Sequence, residues 1–305
     1  MKQILIASGK GGTGKTSISA AFASLAKQAV FADCDVDASD LHLLLSPEIL
    51  QSFSFISGKE ASINQTQCSI CGKCYQLCRF EAIMTPDHEN QKYRVNPIAC
   101  DGCGVCVKNC PEQAISFIDK DNGEYYHSHT RFGELIHAQL HPGGENSGKL
   151  VSLVRKKALD LAKASNLELV LIDGPPGIGC PVIASLTGCD LLLIVVEPSL
   201  SSLHDAKRLI QLSKHFSVPC FILINKWDIS PILSKQMESE FKNMKVKVLG
   251  KLPYDTEFIR AMMEGKTIIE YHKNGKTAST LMSVWKELLH KNENQPYLIK
   301  KEGSI

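Results

Sequence analysis

Short unbroken apolar runs recur along this chain, separated by stretches whose apolar residues return every three or four positions. Ile4-Leu5-Ile6-Ala7 is the first run, and a glycine-rich turn and a helix-favouring segment from Ser17 to Lys27 follow it. Ala29-Val30-Phe31-Ala32 ends in Asp33-Cys34-Asp35, and Leu169-Val170-Leu171-Ile172 ends in Asp173-Gly174. Leu191 to Val196 and Cys220 to Ile224 are two more such runs. Apolar runs without polar alternation read as strands covered on both faces. The spacing Leu150, Leu153, Val154, Ala158, Leu161 predicts an amphipathic helix over Ser147 to Ala164, and Leu203 to Phe216 and Ser279 to His290 read as further helices. Strands and helices in alternation specify an α/β fold with a mostly parallel sheet flanked by helices and ligands at the carboxyl ends of its strands. Two stretches fall outside the pattern. Ser52 to Thr66 is polar and without period, so it reads as a linker, and the segment carrying His127, His129, His137 and His141 reads as a polar connector. Those histidines lack a ligand spacing and are expected to be solvated or capping groups, not a metal site.

With 305 residues and 44% hydrophobic content the chain can bury a sizeable core in one large domain or two. Lysine plus arginine, 34, barely exceeds aspartate plus glutamate, 32, so extended nucleic-acid binding has no compositional support. The first strand begins almost at the N-terminus without a secretory leader, and no run approaches the ~18 apolar residues of a membrane span, so a cytoplasmic protein is expected. In a reducing compartment, twelve cysteines with repeated C-x-x-C spacing point to metal before disulfides.

Eight of those cysteines form two runs, Cys68-x2-Cys71-x2-Cys74-x3-Cys78 and Cys100-x2-Cys103-x2-Cys106-x3-Cys110-Pro111. Each is the bacterial ferredoxin spacing, in which three close thiolates wrap one corner of a [4Fe–4S] cube and the fourth cysteine serves the other cluster. The expected ligand sets are therefore Cys68, Cys71, Cys74 with Cys110, and Cys100, Cys103, Cys106 with Cys78. Zinc sites use paired knuckles instead of two complete runs of this kind. Arg79 stands where the first run would carry proline, which bears on loop geometry and on cluster potential but not on ligation. Glu81-Ala82-Ile83 and Gln113-Ala114-Ile115 repeat the same local theme, so residues 61–119 read as an internally duplicated ferredoxin set into a larger domain made of 1–60 and 120–305.

The turn after the first run, Gly9-Lys10-Gly11-Gly12-Thr13-Gly14-Lys15-Thr16, fits the phosphate-binding loop G-x-x-x-x-G-K-[ST]. The glycines let successive backbone N–H groups around Thr13 face a polyphosphate, and the helix N-terminus, with Ser17 next in line, adds partial positive charge. Lys15 would reach the β- and γ-phosphates and Thr16 would ligate Mg²⁺.

Because a second lysine, Lys10, follows the first glycine, GKGGTGKT resembles the deviant Walker A motif of MinD/Mrp-type P-loop ATPases. The resemblance implies a homodimer closed by ATP, in which Lys10 reaches the phosphates of the partner. Asp33-Cys34-Asp35-Val36-Asp37 resembles switch I of that family, so Asp35 would position the attacking water. Glu168 to Gly177 resembles Walker B and switch II, with Asp173 holding Mg²⁺ through water and the Gly177 N–H near the γ-phosphate. Asn225-Lys226-Trp227-Asp228 matches the guanine-reading motif of GTPases, yet Asn225 contacts adenine in the resemblance, which favours ATP over GTP. Pro253, in Leu252-Pro253-Tyr254-Asp255, would lie in the base-covering loop. Cys180 follows Asp173 at the offset of a cluster cysteine in the nitrogenase iron protein, with buried packing as the alternative.

Together these residues imply an ATP-binding and hydrolysing iron–sulfur protein with ATP, Mg²⁺ and two [4Fe–4S] clusters as cofactors. The leading expectation is a nucleotide-gated dimer controlling electron transfer to a redox partner. An iron–sulfur carrier or assembly ATPase serving an apo-protein is the second, and a positioning ATPase with structural clusters the third. The final helix lacks a basic polar face, so its apolar stripe is expected on the sheet and not on a membrane.

Overall fold

The apolar runs that begin at Ile4, Ala29, Leu169, Leu191 and Cys220 are all strands in the structure, and Asp33 and Asp173, which end two of them, meet at one edge of one sheet. The computed structural model describes residues 1–87, 91–145 and 147–290. In chain order the elements are β1 (Lys2–Ser8), α1 (Lys15–Leu25), β2 (Ala29–Asp33), α2 (Leu41–Leu45), β3 (Glu48–Ile63), α3 (Lys73–Leu77), β4 (Ile83–Met84) and β5 (Arg94–Val95). There follow α4 (Val105–Asn109), β6 (Ile115–Thr130), β7 (Gly133–Leu140), α5 (Ser147–Ala164), β8 (Leu169–Pro176), α6 (Cys180–Leu186), β9 (Leu191–Val196) and α7 (Leu200–His215). The chain closes with β10 (Cys220–Ile224), α8 (Pro231–Asn243), β11 (Lys247–Lys251), α9 (Glu257–Met263), α10 (Ile268–Tyr271) and α11 (Lys276–His290).

The main sheet runs β11-β10-β9-β1-β8-β2-β7-β6-β3. From β11 to β7 every pairing is parallel. β1, β2, β8 and β9 are almost wholly buried, as helix-covered parallel strands must be. Register then decides what meets at the carboxyl edge: Asp173 lies opposite Ile6 on one side and opposite Asp33 on the other. One face of the sheet packs on α1 and α11, where Phe22 stacks on Trp285 with ring centroids 5.2 Å apart. The apolar stripe of α11, Leu281, Val284, Trp285 and Leu288, is spent in this core, and among the described residues no helix is long and apolar enough to cross a membrane.

The chain divides into two compact units, Met1–Ser52 with Tyr125–Gln139 and Ser147–Ile305, and Phe53–Glu124 with Leu140–Asn146. The segment 61–119 falls within the second, which begins earlier because β3, β6 and β7 each carry the chain across the division. The reading of Ser52 to Thr66 as a linker is thus corrected: most of it is β3. Phe55, Ser57, Ala61 and Ile63 are buried while Ser54, Ile56 and Gly58 are exposed, a period of two masked by a serine inside and an isoleucine outside. The polar connector is corrected too, since His127 and His129 lie on β6 and His137 on β7. His127 and His129 both bond the Glu134 carboxylate, at 2.6 and 2.7 Å, and His141 is exposed.

The second unit repeats itself in backbone detail. Gly72 and Gly104 open α3 and α4 at φ 75° and 77°, and Glu81 and Gln113 share φ values of 51° and 50°. The halves are cross-stitched, Asn64 N–H donating to Ala114 O and Asn96 N–H to Ala82 O, both at 2.7 Å. Gly102 has no tolerated substitute, because its φ is 66° and a Cβ would run into the carbonyl oxygen of Lys59. Ala61, Ile63, Ala82, Ile83 and Ile115 form a small core that the cysteines surround.

His137 is buried, not solvated: it is 7% exposed, stacks on Tyr126 at 4.9 Å and shares a 2.9 Å bond with Ser128 Oγ. Burial, with His42 adding to it, pushes its pKa down to about 4. An unfolded histidine takes its proton near 6.5, so the stability held by the neutral ring is complete above that pH and is lost as pH falls toward 4, by up to ~3 kcal/mol. Urea unfolding of the wild type should therefore lose stability between pH 6.5 and 4.5, and His137→Phe should flatten that slope. A slope unchanged in the variant would assign it to other groups.

Candidate functional site

The first site forms where β1, β2 and β8 end. Lys15, at the start of α1, is 5% exposed and donates from Nζ to Asp173 Oδ2 at 2.8 Å, with Asp35 Oδ2 3.7 Å away. Thr16 Oγ1 reaches the same Asp173 oxygen at 3.1 Å, and Ser19 Oγ donates to the other at 2.5 Å. Asp33 accepts from Asp35 N–H, Ser39 Oγ and Leu41 N–H, tying the start of α2 to the strand end. Burial alone would lower the Lys15 pKa, but Asp173, Asp33 and Asp35 outweigh it and raise it. Burial, reinforced by Asp173 and opposed by Lys15, raises Asp33. Asp35 is lifted to about 6, by burial first, with Lys15 opposing and Asp173 adding. Lys15, Thr16, Asp35 and Asp173 are thus brought together, a cation, a hydroxyl and two carboxylates within reach of one another. Such a group can hold a polyphosphate with a divalent ion and orient a water.

Lys10 is not part of this group. Its Nζ lies 2.6 Å from Glu197 Oε1, and Lys226 Nζ lies 3.2 Å from the other Glu197 oxygen while donating to Gly12 O at 2.8 Å. Burial would raise Glu197, but its hydrogen bonds from Lys10 and Lys226 hold it below the usual carboxylate range. Asn225 is buried and donates from Nδ2 to Thr13 O at 2.8 Å, against Gly14 at φ 88°, where a Cβ would run into that amide. Pro253 is half-buried in a loop clamped to the Asn225 segment, because Trp227 N–H donates to Leu252 O and Tyr254 N–H to Asp228 Oδ1. Gly11 and Gly12 are exposed, and a Cβ at Gly9 would run into Asp205. Gly177 has φ 91° and its N–H donates to Ser8 O at 2.9 Å, so it would have to leave that bond to meet a phosphate. Ser17 is half-buried at the helix start, and Cys180 is exposed at the start of α6.

Ser19 and Glu197 are the members the sequence reading missed. Ser19 is one helical turn beyond Lys15 and so on its face, and Glu197 ends an apolar strand just as Asp33 and Asp173 do.

A second site lies in the smaller unit. All twelve cysteines are free thiols, and eight of them line two cavities. Cys68, Cys71, Cys74 and Cys110 border one, and Cys78, Cys100, Cys103 and Cys106 border the other. Each run thus sends its fourth cysteine to the other cavity. Ala82 N–H points at Cys78 Sγ and Ala114 N–H at Cys110 Sγ, each at 3.3 Å, and Ala61 N–H at Cys100 Sγ at 3.5 Å. Among the described residues no group of three or more His, Cys, Asp or Glu side chains is drawn together to hold a metal ion. The donor chemistry of both cavities, four thiols with amide N–H groups aimed at sulfur, fits a thiolate-held group in which each sulfur takes its own metal atom.

Comparison with known proteins settles the family of the chain. The CobQ/CobB/MinD/ParA nucleotide-binding domain matches residues 4–268. The chain belongs to that family. It is a MinD/ParA-type P-loop ATPase, and it is similar over nearly its whole length to the uncharacterized protein MJ0578 of Methanocaldococcus jannaschii. That match is 34% identical and covers 94% of this chain and 96% of the relative. An iron–sulfur cluster carrier protein of Aquifex aeolicus is 27% identical over 41% of this chain and 38% of its own. MinD of Pyrococcus horikoshii, solved with Mg-ADP, shares the fold with a TM-score of 0.55 at 16% identity, covering 94% of this chain and 95% of that one.

In a MinD/ParA-type ATPase with this geometry, Lys15→Ala should do two things. It should abolish tight nucleotide binding, and it should also destabilise the nucleotide-free protein by about 3–5 kcal/mol, because Asp173 and Asp33 stay buried without their cation. Calorimetry with ATP and a urea transition without it would check both. A fully stable variant would mean that the carboxylates do not need Lys15.

Proposed function

We propose that this chain is an ATP-hydrolysing iron–sulfur protein whose nucleotide-dependent homodimer controls electron transfer to a redox partner. The observation that carries the reading is the sorting of eight thiols into two cavities, each with three cysteines of one run and the fourth of the other, inside a MinD/ParA-type ATPase. Cys68, Cys71, Cys74 and Cys110 would hold one [4Fe–4S] cluster, and Cys78, Cys100, Cys103 and Cys106 the other. Bound there, the clusters would supply one-electron storage. The ATPase residues do the rest. Lys15 would neutralise the phosphates, Thr16 would hold Mg²⁺ directly and Asp173 through water, and Asp35 would orient the water that attacks in line. The chain would enter this cycle with Lys10 leaving Glu197 for the partner's phosphates.

Anaerobically prepared protein should contain about eight irons per chain. Potentiometric titration with no nucleotide, with ADP and with a non-hydrolysable ATP analogue should give different cluster potentials, since linkage makes any redox preference for the ATP-bound arrangement reciprocal. Zinc in place of iron, or potentials identical in all three states, would sink the gated-transfer reading. Cys106→Ser should lose one cluster and keep ATP binding.

Lys10→Ala separates dimer closure from binding. It should keep most nucleotide affinity and lose ATP-driven dimerisation and hydrolysis, read by light scattering and phosphate release. Loss of affinity equal to that of Lys15→Ala would argue for a monomeric nucleotide switch.

The partial similarity to the Aquifex aeolicus iron–sulfur cluster carrier protein favours a second reading, delivery of a cluster to an apo-protein. Transfer of iron and sulfide to an apo-ferredoxin, accelerated by ATP, would select it over electron transfer.

A further inference from the structure

The two cysteine runs are near copies, but beyond Arg79, which is exposed, their electrostatic settings differ at one buried residue. Lys120 has a side chain only 8% exposed and donates from Nζ to the carbonyl oxygen of Cys100 at 3.0 Å. Its carboxylate neighbour, Glu145, is 3.8 Å away with a side chain 47% exposed, too far and too wet for a tight pair. In the first run the matching contact comes from Lys92, which donates to the carbonyls of Gln65 and, at 3.3 Å, Cys68, but Lys92 is only half-buried. The charges beside the cysteines are exposed. Lys73 and Glu112, both exposed, line the first cavity, and exposed Asp101 and Arg79 flank cysteines of the second. The asymmetry is therefore one buried ammonium, bonded to the backbone of a cysteine and short of countercharge, which a folded protein rarely keeps without an anionic group nearby.

We propose that Lys120 is a positioning charge that sets the reduction potential of the cluster held by Cys78, Cys100, Cys103 and Cys106 above that of its neighbour. This rests on the two-cluster reading above. One-electron reduction adds a negative charge to the cluster and makes or breaks no bond. A fixed cation in a poorly solvated place stabilises the reduced form more than the oxidised one, whereas solvent screens the same charge at Lys92. A cluster held by Cys68, Cys71, Cys74 and Cys110 would then be the stronger reductant of the two, and an electron supplied by a low-potential one-electron donor would rest on the one held by Cys78, Cys100, Cys103 and Cys106.

The test is an anaerobic redox titration of the full-length, reconstituted protein with dithionite, followed by electron paramagnetic resonance after an iron count. Wild type should show two separate couples. Lys120→Gln keeps an N–H donor for Cys100 but loses the charge, and should cut the reduced-to-oxidised ratio of the higher couple about tenfold at fixed potential, about 59 mV for one electron. Lys120→Arg should keep that couple near wild type. Lys92→Gln should move only the lower couple, and by less. Glu145→Gln, on a half-exposed side chain, removes the neighbouring acid and should raise the higher couple even if the Lys120 variants fold poorly. Couples that stay in place in Lys120→Gln and Glu145→Gln at eight irons per chain overturn the proposal. Wild-type protein that takes up no iron overturns the two-cluster reading itself, and the iron count tells the two failures apart.

Discussion

Two carboxylates that parallel register forces side by side, Asp33 and Asp173, govern the nucleotide end of this protein. Both are buried, and they are cross-strand partners at the ends of β2 and β8. Two such groups cannot both stay ionised in a dry place without a cation, and the one supplied is Lys15. Its placement depends on the left-handed turn at Gly14 and on the first turn of α1, so the phosphate loop is held to the sheet by charge as well as by chain connectivity. Thr16 and Ser19 complete the hydrogen bonding of Asp173, and Ser39 and Leu41 that of Asp33. The glycine-rich loop, the Asp33–Leu41 segment and the end of β8 are consequently one network. A polyphosphate that draws Lys15 and Thr16 away changes the balance at Asp35 and Asp173 at the same moment.

The outer half of the loop is held from the other side of the sheet. Glu197, at the end of β9, receives both Lys10 and Lys226, and Asn225 and Lys226 bond to the carbonyls of Thr13 and Gly12. The residues that would read the base therefore also brace the phosphate loop, and Lys10 is engaged within its own chain.

The smaller unit solves a different problem. It has few large apolar side chains in its core and relies on two crossed copies of one short motif, with paired glycine turns and exchanged backbone hydrogen bonds. A unit of that size gains from a bound group as a staple, and the thiols border both cavities.

Much of this was legible in the chain itself because it depends on local order. An apolar run, a left-handed glycine and a helix start make a phosphate loop wherever they occur in sequence, and cysteine spacing sets which thiols stay neighbours. β1, β2, β8, β9, β10 and α5 follow from such local rules, whereas the exchange of fourth cysteines between the runs was expected from the ferredoxin pattern. β3 and the His137 environment did not follow, because their inward positions carry serine and histidine, whose burial depends on partners far along the chain. The same holds for Ser19, Glu197 and Lys120, which are ordinary polar residues in sequence. What makes them consequential is which strand end, loop or carbonyl the fold brings against them, and only tertiary structure decides that, since the cost of burying a charge depends on neighbours that sequence distance does not reveal.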